Sequence, residues 1–95
     1  MTRQVIKLGS SSIASRDGLA LDVIAGLVSQ IAVAQRAGHE IILVTSGAAR
    51  LGRRLLEFEG STAGALDTAL PASVGQPALM ALYRQLAAAV GIEVC

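Results

Sequence analysis

The chain has 95 residues, 53% of them hydrophobic and 16% charged, with a formal net charge of +1. A chain of this length makes one small domain at most, burying about two thirds of the surface it would expose unfolded. The near-neutral balance carries no electrostatic footprint of a nucleic-acid binder. Cys95, the sole cysteine, can make no internal disulfide, and one thiol beside one histidine, His39, cannot build a metal site.

The longest apolar stretch, Leu19 to Ala34, is interrupted by Asp22, Ser29 and Gln30, so it lacks the roughly 18 uninterrupted residues of a membrane span. The start, "MTRQVIKL", runs straight into a strand; this leaves no room for a signal or transit peptide and points to a cytoplasmic protein.

Residues 4 to 8 read as a short strand. Strands of a fully buried parallel sheet are near-continuously apolar, so Lys7 among Val5, Ile6 and Leu8 needs a reason to be there. Ile24, Leu27, Val28, Ile31 and Gln35 then recur at helical spacing, and Ala37-Gly38 supplies the stop. "EIILVTS", residues 40 to 46, is a second strand with β-branched enrichment. A strand, helix, strand unit implies parallel strands joined by a right-handed crossover. His39 decorates the turn before the second strand and is assigned no role.

A second helix is expected from Gly47, with Ala48, Leu51, Leu55 and Phe58 on one face and Arg50, Arg53 and Arg54 spread along a solvated outside. Glu59 to Ala69 is rich in Gly, Ser and Thr and reads as a loop. Pro77 is expected in the first turn of a third helix, where its missing N–H costs nothing. Leu79, Leu82, Tyr83, Leu86 and Val90 form that helix's buried stripe, and Gly91 closes it. "IEVC", from Ile92, begins another strand and stops on its fourth residue. Parallel strands need neighbours and cover on both faces, so residues 1–95 are expected to be the N-terminal portion of a larger α/β domain, with no second domain present.

Ligands of open α/β sheets bind at the carboxyl ends of the strands. At the first end, Gly9 lets the backbone approach an anion, and the N–H groups that follow can point at phosphate oxygens. Lys7, at the mouth of that loop, is a point charge for a phosphoryl group, which gives the lysine its reason. At the second end, Thr45-Ser46-Gly47-Ala48, a strand runs directly into a helix whose free N–H groups and dipole suit a carboxylate or phosphate. Capping of that helix would alone account for Ser46, so its ligand role rests on the pairing of the two loops. "GAARLGRR" has P-loop glycine spacing, but Arg53 and Arg54 stand where Lys and Ser or Thr are required. The G-x-G-x-x-G of a dinucleotide fold is missing from "GSSSIASRDG", which argues against a dehydrogenase.

Taken together, "VIKLGSSSI", "AGHEIILVTSGAARLG" and "VGQPALMALYRQLAAAVGIEV" resemble the N-terminal part of the amino acid kinase family, in the family's order and spacing over nearly the whole chain. Gly9 followed by Ser10 and Ser11, together with the Val74 to Tyr83 segment, is similar to the subgroup that phosphorylates glutamate. Relatives acting on acetylglutamate, aspartate, carbamate or nucleoside monophosphates typically carry Gly-Gly or Ser-Gly-Glu after the lysine.

The resemblance implies a three-layer αβα sandwich with a mainly parallel sheet, of the carbamate kinase-like kind. It implies transfer of the γ-phosphoryl group of ATP to the side-chain carboxylate of L-glutamate, with Mg²⁺, on the route to proline. Lys7 then resembles the family's phosphate-contacting lysine, Gly9, Ser10 and Ser11 its ATP-binding loop, and Ser46, Gly47 and Ala48 the segment that holds glutamate.

It implies a homo-oligomer with small-molecule substrates, and neither nucleic acid nor membrane as partner. The family's Asn-Glu-Asn-Asp-like substrate loop, nucleotide-binding half and second phosphate-contacting lysine are not in this sequence, nor is the PUA domain of many bacterial members. The 95 residues alone are therefore expected to be inactive. The competing readings are a non-catalytic remnant of the fold and a family member acting on a different carboxylate.

Overall fold

The structure, a computed structural model, describes residues 2–9, 14–15, 18–58 and 69–94. Two six-residue strands, β1 (Arg3–Leu8) and β4 (Glu40–Thr45), pair in parallel, with Arg3 opposite Glu40 and Leu8 opposite Thr45. Between them come a short antiparallel pair, β2 (Ala14–Ser15) and β3 (Gly18–Leu19), and helix α1 (Leu21–Arg36). Helices α2 (Ala48–Phe58) and α3 (Ala69–Ala89) complete the order. This is the expected α/β arrangement at its parallel centre. The β2–β3 pair escaped the sequence, since two-residue strands carry no periodicity to detect.

Alternation along the strands divides the sheet into two faces. Leu8 and Leu43 pack against the core of Ile24, Val28, Leu79, Tyr83 and Ala87, which α1 and α3 supply. Val5, Lys7, Ile42 and Val44 point the other way and are exposed, Val5 at 64%. Arg3 and Glu40, also on this open face, close a salt bridge of 2.7 Å. The sheet is thus covered on one side among the described residues.

α1 and α3 end in the same way. The N–H groups of Gly38 and His39 return to Gln35 and Ala34, and those of Gly91 and Ile92 to Ala88 and Ala87. Each is a Schellman closure with glycine just past the cap, as Gly38 and Gly91 were expected to provide. The Arg36 guanidinium donates to the Val90 carbonyl and ties the two ends together.

Three expectations need correction. α3 begins at Ala69, so Pro77 lies inside the helix rather than in its first turn. The proline is exposed, and tight packing of Pro71, Gly75 and Leu79 holds the helix through the missing hydrogen bond. Ala69 belongs to that helix, whereas the rest of the expected loop, 59–68, lies outside the described residues. Residues 92–94 form no strand; an isolated segment has no ladder to join, and among the described residues none pairs with it. Cys95 is outside the described residues.

Candidate functional site

The parallel register fixes the site. Because Leu8 is opposite Thr45, the chain leaves both strands at the same edge, and the Ser46 N–H donates to the Leu8 carbonyl at 3.1 Å. Gly9 and Ser46 therefore begin two adjacent loops at the carboxyl end of the sheet. Lys7 lies one residue inside that edge on the open face, opposite Val44 and exposed. An ammonium there remains hydrated and avoids the several kcal/mol that burial of an unpaired ion costs.

Gly9 is half-buried, yet a Cβ built on it would meet nothing within 4 Å. Its backbone faces open space that a side chain would fill, the condition for close approach of a phosphate group. Ser10 and Ser11, the other residues expected in this loop, lie outside the described residues.

Ser46, Gly47 and Ala48 form the strand-to-helix turn. Gly47 has φ of 110°, a conformation L side chains rarely adopt, and its carbonyl accepts from the Leu51 N–H at 2.9 Å. Gly47, not Ser46, thereby occupies the cap of α2, which corrects the capping explanation and leaves the exposed Ser46 hydroxyl without that duty. The opening N–H groups of a helix have no carbonyl one turn before them within the helix, and at Ala48 and Ala49 the dipole of an 11-residue helix stands behind them.

Sequence reasoning missed how α3 braces this turn. The Tyr83 hydroxyl lies 2.8 Å from Thr45 Oγ1, which itself lies 3.2 Å from the Ser46 carbonyl oxygen. Two glycines bring α3 against α2: a Cβ on Gly75 would stand 1.7 Å from the Ala48 carbonyl oxygen, and one on Gly52 the same distance from that of Pro71. The signals were present as a polar tip within an apolar stripe at Tyr83 and as glycines inside helical patterns.

A cleft of about 400 Å³ lies elsewhere, along the covered face between α1, β4 and α3. Its walls are mainly apolar, including Val28, Ile41, Leu43 and Met80, and it reaches the site at Thr45 and Tyr83. Strand-end geometry is therefore the better guide to chemistry here than cavity size.

Among the described residues no group of three or more His, Cys, Asp or Glu side chains could hold a metal ion. Glu40 is at the opposite end of its strand, engaged by Arg3. Among the described residues, too, no helix is long and apolar enough to cross a membrane.

Comparison with family models matches residues 2–95 to the amino acid kinase family. The chain belongs to the amino acid kinase family. Among curated proteins it is similar to glutamate 5-kinase of Novosphingobium aromaticivorans, 41% identical over 92 residues. It is also similar to glutamate 5-kinase 2 of Bacillus subtilis, 39% identical, and to glutamate 5-kinase of Thermus thermophilus, 34% identical. These alignments cover 95%, 96% and 97% of the chain respectively. The chain spans about a quarter of the length of these relatives, 24% to 25%.

Proposed function

We propose that these residues supply one part of the active site of an ATP-dependent kinase that phosphorylates the side-chain carboxylate of L-glutamate, the product feeding proline synthesis. The observation that supports the reading is the register of β1 against β4, which brings Gly9 and Ser46 to one edge of the sheet with Lys7 one residue inside it. Similarity to glutamate 5-kinases supports the choice of substrate.

The chemistry suits what is present. A carboxylate is ionised at neutral pH, so the nucleophile needs no general base. One carboxylate oxygen bonds to the γ-phosphorus, the bond from that phosphorus to the bridging oxygen breaks, and ADP leaves with the electron pair. Catalysis then consists of in-line placement and stabilisation of charge on the phosphoryl oxygens.

In this reading Lys7 neutralises that charge while the Gly9 loop, with Ser10 and Ser11, receives the phosphates of ATP. The Ser46 hydroxyl and the N–H groups of Gly47 and Ala48 hold the substrate. Mg²⁺ would accompany the nucleotide and neutralise phosphate charge; the described residues supply no ligands to it.

The test is acyl phosphate formation by the complete protein, trapped with hydroxylamine. ATP-dependent hydroxamate from L-glutamate, and not from L-aspartate or N-acetyl-L-glutamate, is the expected outcome. Product from one of those instead would replace the substrate assignment, and product from none would remove the activity.

A further inference from the structure

We propose that Tyr83 is a positioning residue for the substrate turn, acting through Thr45 on Ser46. The inference rests on the functional reading above for its catalytic consequence, and on hydrogen bonding alone for its structural one.

A threonine hydroxyl has one proton to donate. Thr45 Oγ1 gives it to the Ser46 carbonyl at 3.2 Å, so in the 2.8 Å contact with Tyr83 the phenol is the donor. The result is a directed relay from the Tyr83 hydroxyl to Thr45 and on to the Ser46 carbonyl. Tyr83 is 4% exposed and belongs to the core with Leu79 and Ala87, so the first donor is fixed by packing.

The far end of the relay is the exposed turn. The Ser46 N–H is already held by Leu8, and engagement of its carbonyl restrains the peptide that leads into Gly47. The hydroxyl and the next N–H groups are then aimed by the core rather than left to the loop. A buried ring whose polar tip finds a hydrogen-bond partner serves both requirements.

The experiment uses the complete protein with Tyr83→Phe, Thr45→Val and Thr45→Ser. Tyr83→Phe retains the ring and removes the donor; it should raise KM for L-glutamate about three- to tenfold, the range of one lost hydrogen bond. KM for ATP and the melting temperature should hold. Thr45→Val should match it, Thr45→Ser should restore the parent value, and the double Phe and Val variant should be no worse than either alone, as members of one relay are not additive. Amide hydrogen exchange at Gly47 and Ala48 should quicken in Tyr83→Phe while α3 is unchanged.

A Tyr83→Phe protein with parental KM and parental exchange at the turn overturns the proposal. So does a loss in which both KM values and the melting temperature move together, since that is damage to the core. If the parent protein does not phosphorylate glutamate, the substrate reading fails, and exchange at Gly47 and Ala48 still decides the relay.

Discussion

Gly52 and Gly75 show how much one hydrogen atom in place of a side chain can decide. Each sits where a Cβ would stand 1.7 Å from a carbonyl oxygen of the facing helix. Backbone is the obstacle in both cases, so no side chain can turn aside. Gly75→Ala should destabilise the complete protein by about 1–3 kcal/mol or more, the scale of overpacking, and lower its thermal midpoint. Gly26→Ala is the contrasting case. That glycine is exposed in the middle of α1 with nothing within 4 Å of a Cβ, so the change should stabilise by about 0.5–1 kcal/mol. Equal midpoints for the two variants would refute the close helix contact. Lys7 stands out in the sequence because a cation interrupts an apolar run. Gly75 and Tyr83 do not, because their importance lies in what another helix brings to them.

At the scale of the element, α1 was readable from its period and β4 from its β-branched residues: sixteen helical residues with Ile24, Val28 and Ala32 buried, then a strand with alternate residues turned inward. α3 was readable in its second half and misread in its first. Gly75 and Pro77 look like the boundary of a helix, and local propensity favours that reading. Packing against α2 outweighs it, since the glycine is what permits the contact. Pro77 then carries an unrelieved cost, its nitrogen having no hydrogen for the Ser73 carbonyl. Pro77→Ala should stabilise α3 by about 1–2 kcal/mol, part of the gain offset by a freer unfolded chain. A lowered thermal midpoint in that variant would place the start of the helix near residue 77 instead.

At the scale of the whole molecule, the side of the sheet left open by the described residues is the dominant feature. Val5, Ile42 and Val44 are 64%, 46% and 48% exposed, whereas parallel sheets occur almost always with both faces covered. The radius of gyration is 14.4 Å, against about 12–13 Å for a closed domain of this length. The 95 residues expressed by themselves should therefore self-associate through this face and form no acyl phosphate. Sedimentation that finds a monomer with a cooperative melt would contradict the first expectation.

The parallel α/β plan was legible, because strand, helix, strand order dictates where the carboxyl ends meet. The bracing of the turn by α3 was not.

The central claim is that Lys7 belongs to phosphoryl transfer and not to the stability of the sheet. Its most direct test is the turnover of Lys7→Ala in the complete protein, measured beside its thermal midpoint. Turnover should fall at least about 100-fold, as when one preorganised donor to transition-state charge is removed, with the midpoint within about 2 °C because the side chain is exposed. Turnover equal to that of the parent protein, or lost only in step with the midpoint, would contradict the account.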